Sequence, residues 1–365
     1  MTVTHRSPSS GASQVHRSQA SGGGTRSQVP ERLIIGRDRP IRYAPRGGSP
    51  RELDGLIADL SVPSIELTPR VLHAPPGRTA RLQVLASGPP GAARTLELVG
   101  DGLSIDPVPL AFDERGSARA EVVIAGSAPP RTVRIEARLD GRPALCAHPM
   151  PPPCPDFVAP AHAIAFTHPL TVAPRGPVAY LAGTGDHVPA ALDLLGAPRT
   201  DEPARAATIL IGLRAHEVRR LPAFADEVAR GAHLVVLAQT PPFDPARHLP
   251  IGATLVEPAE EACEEDAPVC LLAPEHPLFT HPNRITDADF DGWIEQRGSR
   301  FLTGWDSAYT PLVELADPGR AGQRGAFLTA PCGEGRVTYC ALALHRQLPE
   351  GIAGAYRLLA NILSA

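Results

Sequence analysis

Three continuous apolar segments in the second half of the chain limit its fold most strongly. They are residues 178–182, 208–213 and 233–238. Each has the length of a strand, and a strand without polar alternation needs cover on both faces. A turn at 183–186, helical spacing at 188–195 and an amphipathic segment at 217–230 lie between them. The pattern predicts an α/β fold, a doubly wound parallel sheet with a flavodoxin-like core whose carboxyl edge carries any crevice.

Residues 61–145 follow a different pattern, with short runs in which polar and apolar residues alternate. Runs such as 80–84, 118–124 and 132–139 are separated by turn signals rich in Pro and Gly. This spacing is typical of a β-sandwich. We therefore expect an all-β, immunoglobulin-like sandwich before the α/β domain. The likeness is architectural, because the segment has neither a Cys pair nor a central Trp.

Composition changes define the remaining boundaries. Residues 1–55 form an Arg-, Ser-, Gly- and Pro-rich tail with too little apolar surface to fold, so disorder is expected there. Residues 146–176 contain five closely spaced Pro and predict an extended linker, with one short strand at 162–167. The α/β domain then covers 177–365. Within it we expect a short helix at 287–296, a hairpin closed at 332–335, and a last helix at 353–363.

Bulk properties exclude several classes of protein. The formal net charge of −4 is too small to suggest a nucleic-acid partner, and all 35 basic residues are Arg, as in a GC-rich genome. The chain has no apolar run long enough for a membrane span and no apolar core of a secretory signal, so we expect a cytoplasmic protein. The six Cys include no C-x-x-C pair.

Two dense segments with aromatic and Arg residues, 285–298 and 345–357, stand out. Both resemble the C-terminal part of long bacterial PIG-L (LmbE-like) deacetylases. In those proteins an immunoglobulin-like segment and a class I glutamine-amidotransferase-like domain follow the zinc-dependent deacetylase. The resemblance covers about residues 60–365, and the turn at 183–186 resembles the first strand-turn of the amidotransferase-like domain. It implies that the chain corresponds to the accessory half of such a protein.

Catalytic and metal motifs are incomplete. The deacetylase motif of PIG-L proteins, a His-Pro followed by carboxylates, is absent, and no Cys stands in a nucleophile elbow. Cys332 lies between a predicted strand and a Gly-containing turn, with His345 as the nearest candidate base. The run 287–292 matches the start of a calcium-binding loop, but Gly298 stands where the twelfth-position carboxylate belongs. Cys146, His148 and Cys154 lack a fourth zinc ligand. We predict no catalytic residues, no metal and no cofactor.

Ligand-binding candidates come from the Gly-rich turn and the family-like segments. Backbone N–H groups at a helix N-terminus attract anions, while Arg and aromatic side chains bind sugars or carboxylates. A packing network of Arg, Asp and Trp is the alternative explanation of the same residues. The candidates are Gly183, Gly185, Asp186, Arg214, Trp293, Arg297, Trp305, Asp306, Arg346 and Gln347.

Two functions remain open. The first is a non-catalytic accessory module of a PIG-L-type deacetylase system, which binds a carbohydrate-type ligand or a separately encoded deacetylase chain. The alternative is a hydrolase or amidotransferase-like enzyme with an atypical site at the carboxyl edge of the sheet. Loss of a hydrolytic activity in Cys332→Ala or His345→Ala would favour the enzyme.

Overall fold

The strands up to residue 166 form two sheets that share one core. The computed structural model describes residues 64–103, 105–126, 128–148 and 156–365, together with the strand residues 33–35, 42–43 and 51–52. The strands of this part are β1 (Leu33–Ile35), β2 (Arg42–Tyr43), β3 (Arg51–Glu52), β4 (Ser64–Thr68), β5 (Val71–His73), β6 (Thr79–Ser87), β7 (Ala93–Val99), β8 (Val108–Ala111), β9 (Ser117–Ala125), β10 (Thr132–Leu139), β11 (Arg142–Pro143), β12 (Leu145–His148), β13 (Asp156–Pro160) and β14 (His162–Phe166).

One sheet has the strand order β1-β13-β12-β4-β6-β9, and the other has β5-β14-β10-β7-β8 with β11 paired to β10. Alternation along the strands directs one side chain in two to the interior, as in β10, where Val133 and Ile135 are buried between exposed neighbours. Ile65 and Leu82 of the first sheet share a core with Leu96 and Ile135 of the second. The two sheets therefore pack face to face.

The range 146–176, expected to be a linker, contributes strands to both sheets. β12 pairs with β13, and β14 pairs antiparallel with β10 and parallel with β5. The prediction of a strand at 162–167 is confirmed. The linker prediction is wrong for the residues on either side of the Pro run, which form strands. β14 buries Ile164 and Phe166 and therefore lies within a sheet. Residues 149–155 lie outside the described part, as does the predicted tail 1–55 apart from β1, β2 and β3.

The third large sheet begins at residue 178. The remaining strands are β15 (Val178–Leu181), β16 (Thr208–Ile211), β17 (His233–Leu237), β18 (Ala253–Thr254), β19 (Glu260–Ala262), β20 (Val269–Leu271), β21 (Gly298–Phe301), β22 (Gly304–Trp305), β23 (Thr310–Pro311), β24 (Val313–Leu315), β25 (Phe327–Cys332) and β26 (Gly335–Cys340). The helices are α1 (Val188–Leu194), α2 (Ala225–Ala229), α3 (Pro245–His248), α4 (Pro277–Thr280), α5 (Leu344–Gln347) and α6 (Ala353–Ser364). Short 3₁₀ helices are η1 (Pro203–Arg205), η2 (Val218–Phe224), η3 (Asp287–Phe290) and η4 (Leu348–Glu350).

This sheet has the order β15-β16-β17-β26-β25-β23. The first four strands are parallel, and the α/β prediction is confirmed at this coarse level. A flavodoxin-like sheet places its first strand between the second and third. Here β15 is the edge strand, because each of the first two connections leads to the next neighbour on the same side. The strand order therefore differs from the flavodoxin-like prediction.

Most local elements of the α/β part match their sequence patterns. The hairpin is formed by β25 and β26, the helix at 188–195 is α1, and the last helix is α6. The helix expected at 217–230 is divided into η2 and α2, with Pro222 inside η2. The helix expected at 287–296 is only the four-residue η3.

The long connection between β17 and β26 forms three small antiparallel strand pairs, β18–β22, β19–β21 and β20–β24. β21 lies along the chain that follows β26, because the Ser299 N–H donates to the Ala341 carbonyl at 3.1 Å. Gly298 permits this approach, since a Cβ there would lie 2.5 Å from the Ala341 oxygen. The connection thereby delivers Ser299 and Arg300 to the carboxyl edge of the parallel strands.

The two-sheet part and the α/β part contact each other through β14 and the segment around α6. The rings of Phe166 and Tyr356 stack with centroids 4.9 Å apart. The Thr132 hydroxyl donates to the Gly351 carbonyl at 3.2 Å. A Cβ on Gly351 would lie 2.6 Å from Ile164, so this junction needs a residue without a side chain.

Candidate functional site

The Gly-rich turn after β15 is organised around the buried carboxylate of Asp186. Both of its oxygens accept from the Tyr180 hydroxyl at 2.8 Å. The carboxylate also accepts the N–H of Val188 at 3.2 Å and the N–H of Leu213 at 2.9 Å. Burial is the largest cause that raises the pKa of Tyr180, so the phenol stays a donor. Asp186 therefore links the turn after β15 to the loop after β16, and its carboxylate oxygens already accept hydrogen bonds from the protein.

Gly183 has a packing role in the same turn. A Cβ on Gly183 would lie 2.4 Å from the Asp186 carboxylate and 2.5 Å from the Leu213 nitrogen. Gly185 has a left-handed backbone with φ of 64°, which glycine adopts without strain. The features that suggested an anion-binding turn are thus explained by close packing around Asp186, which receives the Val188 N–H that an anion would need.

The loop after β16 presents Arg214 from a fixed backbone. The N–H groups of Leu213, Arg214 and Ala215 donate to Asp186, to the Ala238 carbonyl at 3.0 Å and to the Gln239 side chain at 2.8 Å. Gln239 is fully buried. Three successive backbone donors are therefore anchored, and Arg214 has a left-handed φ of 50°. Such strain persists only where the surroundings impose it, and it concentrates at functional sites.

Arg300 enters the same edge from β21. Its guanidinium donates to the Gln239 carbonyl at 2.8 Å and forms a two-point ion pair with Glu257 at 3.0 and 2.6 Å. Its backbone also has a positive φ, 70°. Of the five non-Gly residues with positive φ in the described part of the chain, three lie at this edge, namely His187, Arg214 and Arg300.

A cavity of about 200 Å³ lies between these loops. Its polar groups are two guanidinium groups, one carboxylate and two hydroxyls, and small apolar side chains complete the wall. The lining residues are Leu213, Arg214, Ala238, Thr240, Ala259, Glu261, Ser299 and Arg300. Ligands of open α/β sheets bind at the carboxyl ends of the strands, which is where this cavity lies. We refer to it as the carboxyl-edge cavity.

Imidazole groups lie beside the carboxyl-edge cavity. Burial, followed by the charges of Arg346, Arg214 and His187, lowers the pKa of His345 to about 4. His345 is therefore neutral at pH 7. The Thr184 hydroxyl lies 3.4 Å from His216 Nε2 and equally far from the Arg214 carbonyl. At that separation the hydroxyl–imidazole contact is weak.

The two residues considered for an enzyme do not meet. Cys332 ends β25 at the hairpin turn, whereas His345 follows β26 at the other end of the sheet. The six residues of β26 separate them by roughly 16 Å. Cys340 lies at the carboxyl edge, but it is fully buried and burial raises its pKa to about 12. Neither thiol is a nucleophile with an imidazole base.

Three predicted site residues belong instead to a packed network around η3. Trp293 donates to the Asp289 carbonyl at 2.9 Å, and Arg297 donates to the carbonyls of Ala267 and Phe290. Gln347 accepts the Ile294 N–H and donates to the Ile294 carbonyl, both at 2.9 Å. All three predicted residues are at least 93% buried. Their polar groups are satisfied by the protein, so they are not placed for ligand binding.

The other predicted residues lie at separate positions. Arg346 forms an exposed ion pair with Glu295 at 2.8 Å. Trp305 is in β22, opposite Ala253, and the Asp306 carboxylate accepts the N–H of Ala308 at 2.8 Å. Of the ten candidates, Gly183, Gly185, Asp186 and Arg214 come together at the carboxyl edge, and only Arg214 lines the cavity.

Metal-like motifs have structural explanations where the structure describes them. Asp289 of the calcium-like run is buried, accepts the Thr286 N–H at 2.8 Å as part of a capping box, and pairs with Arg357. Cys154 and the side chain of His148 lie outside the described part. Among the described residues, no three His, Cys, Asp or Glu side chains form a group suited to a metal ion.

Sequence reasoning missed most of the cavity lining. Thr240 is the third residue after the end of β17 and was detectable as part of the loop that follows a strand. Glu261, Ser299 and Arg300 arrive through the pairing of β19 with β21, which joins residues about forty positions apart. No local pattern marks such a pairing.

Comparison with known proteins adds no assignment: no protein-family model matches the chain, and no curated protein matches it at a significant level. Across the described residues, none of the helices combines the length and the apolar character needed to cross a bilayer.

Proposed function

We propose that this chain is a non-catalytic binding module that recognises a carbohydrate-type ligand in the carboxyl-edge cavity, as part of a PIG-L-type deacetylase system. The observation that carries the proposal is the composition of the cavity wall. It combines the donor groups of Arg214 with the acceptor groups of Glu261, and it adds the hydroxyls of Thr240 and Ser299. A polyhydroxylated ligand both donates and accepts, so it matches a wall of this kind.

The size of the cavity supports a small ligand. At about 200 Å³ it is below the 300–1,000 Å³ that drug-sized ligands occupy. A single sugar unit is of the right order. The apolar surfaces of Leu213, Ala238 and Ala259 offer contact to the carbon skeleton of such a unit, while the polar groups fix its orientation.

The absence of an assembled catalytic set within the described residues favours binding over hydrolysis. Catalysis of acyl transfer needs a nucleophile and a base within hydrogen-bond distance. Cys332 and His345 are at opposite ends of β26, and Cys340 is buried with a protonated thiol. The alternative of a hydrolase at the carboxyl edge therefore has the weaker support.

The link to PIG-L proteins is carried by the sequence resemblance of 285–298 and 345–357 and of the turn at 183–186. On this proposal, the two-sheet part is the immunoglobulin-like segment and the part from residue 177 is the amidotransferase-like domain. The described residues of 285–298 are mainly a packing network, so the resemblance there reflects fold rather than a site. The proposed protein partner is a separately encoded PIG-L deacetylase, whose co-purification with this chain would support the module.

Titration of the full chain with N-acetylglucosamine, followed by calorimetry, tests ligand binding. We expect a Kd of about 1 mM, typical of a small, polar and shallow site. Glu261→Gln should weaken binding about tenfold, because a hydrogen bond to a charged group contributes about 1.5–3 kcal/mol. Glu264→Gln is the matched control, since Glu264 is exposed nearby but does not line the cavity. Equal effects of the two variants, or no heat of binding, would contradict the proposal.

A further inference from the structure

The charged groups around the carboxyl-edge cavity differ in whether they already have an ion-pair partner in the protein. Arg300 is held by Glu257 and by the Gln239 carbonyl. Arg346 is paired with Glu295. Within the described residues, the guanidinium of Arg214 has no carboxylate at ion-pair distance, although it lines the cavity on an anchored loop. Arg214 is therefore the cation at this edge that is available to a ligand.

On the His345 side of Arg214, the charges that act on the imidazole are basic. Burial lowers the pKa of His345 most, and the charges of Arg346, Arg214 and His187 lower it further. The pKa of His187 is lowered chiefly by burial and also by Arg70, and the carboxylates of Asp186 and Glu350 act in the opposite direction. Asp186, however, is buried and its oxygens accept from Tyr180, Val188 and Leu213.

The acidic group of the cavity enters from a different element. Glu261 belongs to β19, where it pairs with Ser299 of β21, whereas Arg214 enters from the loop after β16. Glu261 is exposed, and its charge adds to burial in raising the pKa of the Cys263 thiol. An exposed carboxylate accepts hydroxyl donors, and among the described residues Glu261 is not within ion-pair distance of Arg214.

We infer that the cavity takes an acidic monosaccharide, with the carboxylate or phosphate group bound by Arg214 and the ring hydroxyls bound on the Glu261 side. This inference rests on the proposed carbohydrate-binding function and narrows its ligand class. The planar guanidinium forms two parallel hydrogen bonds to a carboxylate or phosphate, which gives geometric selectivity as well as affinity. The anchored backbone of residues 213–215 means that the loop itself need not be ordered when a ligand binds.

Calorimetric titration of the full chain with glucuronate, glucose 6-phosphate and glucose tests the inference. We expect at least one acidic sugar to bind about tenfold more tightly than glucose, in line with a charge-assisted bidentate contact. The two acidic sugars distinguish a carboxylate from a phosphate ligand. Raising NaCl from about 50 to about 300 mM should weaken only the acidic sugars, because screening acts on the charge contact.

Arg214→Asn should reduce the affinity ratio of acidic sugar to glucose to about one. Asn tolerates the left-handed backbone, so this variant keeps the loop. Arg219→Asn, in η2 and outside the cavity wall, is the matched control and should keep the ratio. A ratio near one in the wild type, or an unchanged ratio in Arg214→Asn, overturns the acidic-sugar inference alone. Failure of all three sugars to bind overturns the carbohydrate function with it.

Discussion

The network around η3 and the carboxyl-edge cavity use the same kinds of side chain in opposite ways. Around η3, the polar groups of Trp293, Arg297 and Gln347 are buried and bonded to protein carbonyls and amides. At the carboxyl edge, Arg214 is exposed on a fully anchored backbone. The difference teaches that density of Arg and aromatic residues does not mark a site. What marks a site is a fixed backbone whose side-chain donors are left for a partner.

The largest expected effect is a difference in the free energy of unfolding between variants of Arg297 and Arg214. Arg297→Leu removes the donors to the Ala267 and Phe290 carbonyls and leaves both acceptors buried. We expect a loss of about 3 kcal/mol in the free energy of unfolding, measured by urea denaturation. Arg214→Asn should stay within about 0.5 kcal/mol of the wild type, as exposed substitutions do.

Equal losses in the two variants would break the comparison, because Arg214 would then be as much a structural residue as Arg297. A small loss in Arg297→Leu would show that water replaces the guanidinium around η3. That outcome would return 285–298 to the set of candidate binding segments.

A smaller effect compares the pH dependence of stability due to a histidine buried in the sheet with that due to an exposed histidine of the carboxyl edge. His233 is fully buried in the sheet, contacts Thr338 at 2.7 Å and the Ile362 carbonyl at 3.2 Å, and has its pKa lowered to about 3, chiefly by burial. The unfolded chain therefore binds a proton between pH 6.5 and 3 that the folded chain does not. The contribution of His233 to the free energy of unfolding is therefore complete above about pH 6.5 and is lost as the pH decreases toward 3.

Between pH 7 and pH 4.5 we expect His233 to account for a loss of about 2 kcal/mol, measured by urea denaturation at each pH. His233→Gln should flatten this dependence, whatever its stability at pH 7. The exposed His216 at the carboxyl edge supplies the control, and His216→Gln should leave the pH dependence as in the wild type. A steep dependence that survives in His233→Gln would assign the effect to other groups, His345 first among them.

Local pattern predicted the elements better than their arrangement. The strands at 178, 208 and 233, the hairpin and α6 followed from apolar runs, Gly turns and helical spacing. The edge position of β15, the strands within 146–176 and the β19–β21 pair did not, because they depend on contacts between distant segments. The Pro-rich run at 149–155 lies outside the described residues, and its composition gave no indication of the buried strand β14 that follows it.

The residues of the site, like the elements of the fold, were predicted only where a local feature of the sequence marked them. Arg214 was predicted as one of several Arg residues able to bind a sugar or a carboxylate, and the structure places it after a strand at the edge where parallel sheets bind ligands. Glu261, Ser299 and Arg300 were missed because nothing near them in sequence indicates that edge. For Trp293, Arg297 and Gln347 the sequence left a ligand site and a packing network open, because an interior network and a binding surface draw on the same residue types. The structure buries all three and bonds them to protein groups.

Hydrogen exchange with and without a saturating sugar, read peptide by peptide, tests the central claim most directly. The account predicts slower exchange in peptides that carry the cavity lining, at 211–216, 237–242, 258–263 and 298–302. It predicts no change in 285–294, where the polar groups already have protein partners. Protection of 285–294 without protection at the carboxyl edge would contradict the account and place the ligand at η3.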